Sequence, residues 1–272
     1  MPLHQALVLA VIQSLTEFLP ISSTAHLALT PWLLGWRDPG LHFDIALHLG
    51  TLAGLTIYFW RDWLSMLREA FRRSRPEDPT ARRPRLLWLL ALGTLPAVAA
   101  GLLFDRQAET TWRTPYLMGS MLVLVAGLMY WADRRARGRR EVEDVRLADA
   151  LRIGAAQAVA IVPGVSRSGI TISIALLLGL TRPAAARFSF LLSTPALAGA
   201  ALKAGWDLHR AGGLPPEMQG AFLAGVLASA VTGWLVIAFF LRFLRAHTLR
   251  FFVYYRVVFG IIVIARAVFL RH

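Results

Sequence analysis

The sequence predicts an all-α integral membrane protein with six transmembrane helices and two re-entrant helical hairpins, arranged as an inverted-topology repeat. Three observations lead to this fold class. Of the 272 residues 56% are hydrophobic and 17% are charged, long apolar runs alternate with arginine-rich connections, and two further apolar stretches are broken near their middle. A soluble globule of this size needs more charge on its surface, so an ordinary soluble enzyme is excluded.

Six apolar runs are each close to the roughly 20 residues that an α-helix needs to cross the hydrocarbon core of a bilayer. Core helices of a soluble protein would show polar faces, which these runs lack. We therefore predict that each run is a membrane span. The predicted spans are residues 43–60, 86–104, 115–132, 188–205, 219–241 and 251–270.

Two more apolar stretches, residues 3–36 and 147–181, are each interrupted by a proline followed by small hydroxylated residues. The breaks read TEFLPISSTAHL and AIVPGVSRSGIT. Inside a bilayer a broken backbone is tolerated only where protein or water satisfies its freed amide and carbonyl groups. We therefore expect each stretch to enter and leave the membrane on one side as a re-entrant hairpin, and not to cross it twice.

The distribution of arginine predicts the orientation of the chain. Connections 61–85 and 133–146 hold eight and six arginines, and connections 182–187 and 242–250 hold two and three, whereas the alternate connections hold few. Because positively charged loops stay in the cytoplasm, the arginine-rich set is predicted inside and both chain ends outside. The first hairpin then enters from outside and the second from inside.

A hairpin followed by three spans occurs twice, so we predict a single membrane domain over residues 1–272 that is built from two repeats, residues 1–132 and 147–272. Three is an odd number, so the repeats have opposite orientations and their broken segments meet near the midplane. A shift of 144 residues also superposes three pairs of polar or turn-forming residues. They are Gln13 with Gln157, Pro20 with Gly164, and Ser22 with Ser166.

The first break carries polar groups that are costly in a membrane and are therefore candidates for function. Gln13 and Glu17 are four residues apart, so they share one face of a helix and can converge on one ligand. Three hydroxyls and an imidazole follow: Ser22, Ser23, Thr24 and His26. These groups offer oxygen ligands for a cation, nucleophiles, and a general acid or base. The alternative, a serine that caps the second arm, explains neither Glu17 nor His26.

The second break places Arg167 between two serines. A turn of small residues that leads into a helix exposes backbone amides, and with a guanidinium these suit a phosphate group. The predicted phosphate-binding residues of this tip are Gly164, Ser166, Arg167, Ser168 and Thr171. The alternative role of Arg167 is an internal ion pair with Glu17.

Other polar residues in the apolar segments are weaker candidates. Three of them are candidates to line the pocket: Asp44, His48 and Gln157. Three arginines close to segment ends are expected to reach the lipid headgroups: Arg152, Arg256 and Arg266.

The formal net charge of +13 predicts an anionic partner. The cations cluster in short connections and do not cover one hydrated face, so membrane lipid or an anionic substrate is expected and nucleic acid is not. The sequence has no cysteine, which excludes a cysteine nucleophile or thiolate metal site. Hydroxyls, a carboxylate, an imidazole and a guanidinium in a wet pocket suit phosphoryl transfer from a phosphate carried by a lipid.

At these residues the chain resembles the bacterial undecaprenyl-diphosphatase family, also called bacitracin-resistance proteins. Two motifs carry the resemblance, which covers essentially the full length: QSLTEFLPISSTAH, and QAVAIVPGVSRSGIT with its continuation into FSFLLSTPALAGA. The resemblance implies a multi-pass enzyme of the bacterial inner membrane that hydrolyses undecaprenyl diphosphate to the monophosphate carrier and inorganic phosphate. That activity would supply the carrier to peptidoglycan synthesis and confer bacitracin resistance.

The resemblance also implies roles for individual residues. Gln13 and Glu17 match the motif that holds a divalent cation, Mg²⁺ or Ca²⁺, although a glutamine at the first position weakens a site of two carboxylates. Ser23 and His26 match the serine and histidine of the family motif, and Arg167 matches its phosphate-binding arginine. We predict that Ser23 is the nucleophile and that His26 acts as general base and later as general acid. His26 as the nucleophile itself, and activated water without a covalent intermediate, remain alternatives.

Two other functions compete with hydrolysis. Inverted repeats with broken helices are also typical of transporters, so the protein could translocate a polyprenyl phosphate lipid. A non-catalytic binder of anionic lipids is a third interpretation, and it leaves the tip serines and His26 without a role. For the oligomeric state, our expectation is a homodimer.

Overall fold

The computed structural model describes residues 1–37, 40–71, 84–210, 213 and 216–269. Nearly all of these residues are helical, and the all-α fold class is confirmed. The helices are α1 (Leu3–Phe18), α2 (Ser23–Leu34), α3 (Leu41–Tyr58), α4 (Trp60–Phe71), α5 (Pro84–Glu109), α6 (Pro115–Arg135), α7 (Leu147–Val159), α8 (Arg167–Leu177), α9 (Arg182–Arg210), α10 (Pro216–Phe243) and α11 (Arg250–Phe269).

The predicted membrane spans coincide with long apolar helices. Within the described residues α5, α6, α9, α10 and α11 are each long and apolar enough to cross a membrane, and α3 meets the same criterion when it is joined to α4. The chain is therefore a multi-pass membrane protein with up to six spans.

Helix α4 was not predicted, because its residues were assigned to the loop 61–85. It bends away from α3 by 68° and separates apolar from charged residues on opposite faces. Such a helix suits the membrane surface, where one face meets lipid and the other meets water. Residues 72–83 of that loop lie outside the described residues.

Both predicted hairpins consist of two short helices on either side of a break. Residues 19–22 separate α1 from α2, residues 160–166 separate α7 from α8, and in each hairpin the two arms contact each other. The arms are 11 to 16 residues long, which is short of the roughly 20 residues needed for a crossing. This supports re-entrant hairpins over additional spans.

Each tip contains a serine in a left-handed backbone conformation. Ser22 has a φ of 79° and Ser166 a φ of 71°, and each is the residue before the second arm of its hairpin. Among the described residues these are the two non-glycine residues with positive φ. Such a conformation costs about 1–3 kcal/mol and persists only where the surroundings enforce it. The two serines are a superposed pair in the 144-residue shift, so this shared strain supports a duplication.

Each hairpin packs against a span from the other half of the chain. Helix α1 lies along α10 and α7 lies along α5. Between α7 and α5 the backbones touch, since a Cβ atom on Gly154 would lie 1.9 Å from the carbonyl oxygen of Gly93. Between α1 and α10 the Ser14 hydroxyl donates to the Ser229 carbonyl at 2.9 Å. Each half of the chain thus supplies the span against which the hairpin of the other half packs, which is the symmetry expected of an inverted repeat. The division into residues 1–132 and 147–272 stays a prediction.

Ion pairs sort the helix ends into two groups. Two pairs join segments at the arginine-poor end: Arg113 with Asp44, and Lys203 with Asp105. Three pairs join segments at the arginine-rich end: Arg140 with Asp149, Arg182 with Asp133, and Arg187 with Asp62. The grouping agrees with the predicted alternation of the connections, and which end faces the cytoplasm stays a prediction.

Candidate active site

Glu17 is at the centre of the polar groups of the first tip. It lies in the last turn of α1 and is 7% exposed. Ser23, the first residue of α2, donates its hydroxyl to Glu17 Oε2 at 2.6 Å. Gln13 lies one turn before Glu17 and donates its amide to the same oxygen at 3.3 Å, as the four-residue spacing predicts. The break after α1 thus turns the chain back so that Ser23 faces Glu17.

The second hairpin brings Arg167 to the same carboxylate. Arg167 is the first residue of α8, and its guanidinium pairs with Glu17 Oε1. It also donates to the carbonyl of Ser193 in α9 at 3.3 Å. The ion pair considered as the alternative role of Arg167 is therefore formed. It leaves room for anion binding, because a guanidinium carries five N–H donors.

These groups face an open cavity of about 310 Å³. Both tips contribute polar residues to its wall: Glu17, Ser22, Ser23, Thr24, Ser166 and Arg167. Small residues of α5, α7, α9 and the second break form much of the remaining wall: Ala97, Gly101, Ala158, Ala160, Ala196 and Ala200. Asp105, at the arginine-poor end of the molecule, also lines the cavity. A volume of this size accommodates a phosphorylated ligand.

Of the two candidates at the start of the first span, His48 joins the site and Asp44 does not. His48 lines the cavity, and its Nε2 lies 3.6 Å from Glu17 Oε2. Its Nδ1 donates to the Asp44 carbonyl at 2.7 Å. The carboxylate of Asp44 instead contacts Arg113 at 3.2 Å.

His26 lies behind the first tip and does not line the cavity. Its Nδ1 is 2.7 Å from the Ser22 carbonyl, which can only accept, so Nδ1 carries a proton and Nε2 accepts from the Tyr255 hydroxyl at 2.7 Å. The ring stacks on Phe259 with centroids 4.4 Å apart. The structure therefore does not bring His26 to Ser23 as a general base, because both ring nitrogens are engaged elsewhere.

Three of the residues predicted to bind phosphate at the second tip are buried in helix packing. Ser168 donates its hydroxyl to a backbone carbonyl of the first tip at 3.3 Å, and the hydroxyl of Thr171 pairs with that of Ser189 in α9 at 2.6 Å. Gly164 has a φ of 94°, and a Cβ atom there would lie 2.5 Å from the carbonyl oxygen of Met118. These residues shape the tip, while Ser166 and Arg167 line the cavity.

Helix capping, considered as the alternative role of a first-tip serine, occurs at the second tip. Ser166 caps α8 by accepting a hydrogen bond from the Gly169 amide at 3.1 Å. Ser22 directly precedes α2 and makes no side-chain cap, and Ser23 donates to Glu17. The hydroxyls of the first tip are therefore not committed to capping.

Two equivalent glutamines have buried amide atoms without a hydrogen-bond partner among the described residues. Gln157 is 4% exposed and lines the cavity, and neither atom of its amide has a partner. The Oε1 of Gln13 also has none. A buried polar atom without a partner costs about 1–3 kcal/mol, so these amides indicate contacts with a ligand.

The expectation that Arg256 reaches the headgroups is wrong. Its side chain is fully buried within α11, and its guanidinium donates to backbone carbonyls of both hairpin tips. Its position inside an apolar run was the signal that could have identified it, since buried charges in a membrane default to functional candidates. Arg152 and Arg266 are exposed, as expected for headgroup contacts.

The donor groups of the site fit a divalent cation that is shared with a phosphate. Among the described residues no group of three His, Cys, Asp or Glu side chains could hold a metal by itself. Glu17 supplies a carboxylate and Gln13 a partnerless amide oxygen. Two such oxygens, completed by phosphate oxygens and water, suit Mg²⁺ or Ca²⁺.

Fold and site together define a class of membrane protein in which two broken helices bring a hydroxyl, a carboxylate and a guanidinium to one cavity. The sequence profile of the bacitracin resistance protein BacA family matches residues 6–262, and the chain belongs to this family.

Similar proteins include the undecaprenyl-diphosphatase of Pelotomaculum thermopropionicum, which is 46% identical over 98% of this chain and 97% of its own length. That of Moorella thermoacetica is 46% identical over 97% and 98%. That of Desulforudis audaxviator is 45% identical over 97% of both chains. The predicted family resemblance is confirmed.

Proposed function

We propose that this protein hydrolyses undecaprenyl diphosphate to undecaprenyl phosphate and inorganic phosphate. The observation that carries the proposal is the convergence of Ser23, Glu17 and Arg167 at one open cavity. A hydroxyl, a proton acceptor and a cation for phosphate oxygens are the parts that phosphoryl transfer requires. The relatives named undecaprenyl-diphosphatase identify the lipid.

The diphosphate is bound mainly by the second tip. Arg167 contacts the phosphate oxygens through N–H groups that Glu17 and Ser193 do not occupy. The amide of Gln157 gains a partner in the same ligand. Three further hydroxyls on the cavity surface are available for hydrogen bonds: Ser22, Thr24 and Ser166. Glu17 and Gln13 would hold a divalent cation, which would neutralise phosphate charge.

Ser23 is the nucleophile and Glu17 takes its proton. The Oγ of Ser23 attacks the terminal phosphorus, and the bond from that phosphorus to the bridging oxygen breaks. Undecaprenyl phosphate leaves with the bridging oxygen and its electron pair, and the hydroxyl proton passes to Glu17 Oε2, its hydrogen-bond acceptor at 2.6 Å. Glu17 thus takes the general-base role that was predicted for His26. Arg167 stabilises the charge on the transferred group.

Water completes the cycle. It attacks the phosphorus of phosphorylated Ser23, the bond from phosphorus to Oγ breaks, and inorganic phosphate is released. Glu17 returns its proton to Oγ. One proton of the water stays on the phosphate and the other passes to solvent.

Phosphate release by the purified protein in detergent tests the proposal. Undecaprenyl or farnesyl diphosphate is supplied with and without a chelator, and Ser23→Ala is the matched control. We expect release by the wild type, loss with the chelator, and at least about a 100-fold lower rate for Ser23→Ala. A transporter needs two compartments and hydrolysis does not, so intact diphosphate after incubation with folded protein would favour transport.

Transfer of a labelled terminal phosphate to the enzyme distinguishes the candidate nucleophiles. A quenched reaction that leaves the label on Ser23 supports the covalent route. A label on His26 makes that residue the nucleophile, and an unlabelled enzyme under single-turnover conditions points to activated water.

We also propose that the protein lies in the bacterial cytoplasmic membrane with both termini and the cavity mouth on the outer side. There the released carrier returns to peptidoglycan synthesis, and removal of the free diphosphate counters bacitracin. The chain has no cysteine, so single exposed cysteines report sidedness without background. Thr110→Cys should react with an impermeant maleimide in intact cells and Arg139→Cys only after permeabilisation, and the reverse result would invert the orientation. A homodimer stays a prediction.

A further inference from the structure

Arg256 is a fully buried charged side chain that touches both hairpin tips. It lies in α11 and is 0% exposed. Its Nη1 donates to the carbonyl of Pro20 in the first tip at 3.2 Å. Its Nη2 donates to the carbonyls of Gly164 and Val165 in the second tip, each at 3.0 Å. One guanidinium therefore bridges the two breaks.

The same side chain is anchored to a third element. Its Nε donates to the carbonyl of Leu122 in α6 at 3.1 Å, and Nη2 to that of Met121 at 3.3 Å. Five carbonyl oxygens thus surround a charge that no carboxylate pairs with among the described residues. The carbonyl groups of the tips do not accept hydrogen bonds within a helix, because the helices are broken there. The guanidinium of Arg256 donates to these carbonyls, and the carbonyls in turn provide acceptors for its buried charge.

We propose that Arg256 is a positioning residue for the reaction: by holding the carbonyls of both tips it fixes Ser23 relative to Arg167. This inference rests on the proposed function. Arg256 does not line the cavity and acts through the backbone of the tips. Its planar fork of N–H donors has fixed directions, which a flexible lysine does not reproduce.

The position of this bridge explains why it is needed. On the cavity side the tips are joined by the ion pair between Glu17 and Arg167, and a diphosphate competes for that arginine. Arg256 joins the tips on the opposite side, where the ligand does not compete. The tips therefore stay together when the ion pair is perturbed during turnover.

Kinetics of two variants test the role of Arg256. Arg256→Met removes the charge and the donors with little change in volume, and Arg256→Lys keeps the charge alone. Arg266→Met, an exposed arginine of the same helix, is the control. We expect kcat to fall about 10- to 100-fold in both Arg256 variants, the scale of a small misplacement of reacting groups. KM should change less than about 3-fold, because the phosphate-binding groups remain. Arg266→Met should match the wild type.

Hydrogen exchange of the backbone amides gives a second readout that needs no activity. In Arg256→Lys, peptides that cover residues 18–24 and 160–166 should exchange faster while peptides from α10 stay unchanged, which general loss of stability would not produce. Full kcat in Arg256→Lys, or unchanged exchange at both tips, would overturn the inference. If Arg256→Met does not fold, Arg256→Lys carries both measurements. If the wild type releases no phosphate, the exchange result still tests the bridge separately from the proposed function.

Discussion

At the scale of single residues, His26 links the strained first tip to the last membrane span. Its Nδ1–H binds the carbonyl of Ser22, and its Nε2 accepts the hydroxyl of Tyr255. Ser22 is held at a φ of 79° and directly precedes Ser23. The imidazole therefore supports the backbone conformation that presents the nucleophile, and proton transfer is left to Glu17.

This role predicts different outcomes for two substitutions of His26. The amide of asparagine donates from a position like that of Nδ1, so His26→Asn should keep the bond to Ser22 and retain kcat within about 10-fold. His26→Ala loses that bond and should cost about 100-fold, the scale expected when reacting groups are misplaced. Steady-state kinetics of both purified variants check this. Equal and complete inactivity of two folded variants would restore a chemical role to His26.

Gln157 allows a test in which stability and activity move in opposite directions. Its amide atoms are buried without partners, so Gln157→Leu removes two unsatisfied groups and should raise the unfolding midpoint in detergent. The same change removes a contact to the diphosphate and should lower kcat/KM about 10-fold, the loss expected for one hydrogen bond to a charged group. Gln107→Leu, on an exposed glutamine of α5, is the control. Unchanged kcat/KM in Gln157→Leu would remove this residue from the binding site.

At the scale of elements, the two hairpins share a backbone conformation but not its hydrogen bonds. Ser166 caps α8 through the Gly169 amide, whereas Ser22 does not cap α2. The second tip therefore has a local cap in addition to its contacts with Arg256 of α11. The first tip has no such cap and is held by α11 through the Tyr255 hydroxyl on His26 and through Arg256.

Glycine substitution separates strain from capping at these equivalent positions. Glycine adopts positive φ without the roughly 1–2 kcal/mol cost that a side chain incurs, and Ser166→Gly also loses a side-chain cap, which costs about 0.3 kcal/mol when glycine replaces serine. Ser22→Gly should therefore be more stable than Ser166→Gly by about 0.3 kcal/mol, measured by denaturation in detergent. Equal stability, or the opposite order, would contradict this account of the tips.

Much of the element order could be predicted, because hydropathy and broken runs are local properties of the chain. The prolines at 20 and 163 lie within the two breaks, and the spans fall on long helices. The exception is α4. Its residues were assigned to a loop because they begin the connection 61–85, which holds eight arginines. The 68° bend between α3 and α4 cannot be recognised from composition.

At the scale of the whole molecule, the hairpin of each half packs against a membrane span of the other half. Helix α1 is held by α10 and α7 by α5, so each tip is fixed by spans of the other half. The meeting of Glu17 with Arg167 could be predicted, because an inverted repeat brings both breaks to the midplane.

The contacts that sequence analysis misjudged depend on how far each helix is rotated about its axis. His48 and Asp44 share a helix face in the sequence, yet His48 reaches Glu17 and Asp44 reaches Arg113. His26 and Arg256 turn towards the back of the tips for the same reason. Packing between distant elements sets these rotations, and spacing along the chain does not encode them.

The central claim is that both tips form one catalytic centre, and a double-mutant cycle tests it most directly. We expect Glu17→Gln and Arg167→Lys each to lower kcat/KM by at least about 10-fold, and the double variant to be far less impaired than the product of the two losses, because groups in direct contact do not act additively. If the two losses multiply in full, or if either single variant retains wild-type kcat/KM, the tips do not form a shared centre.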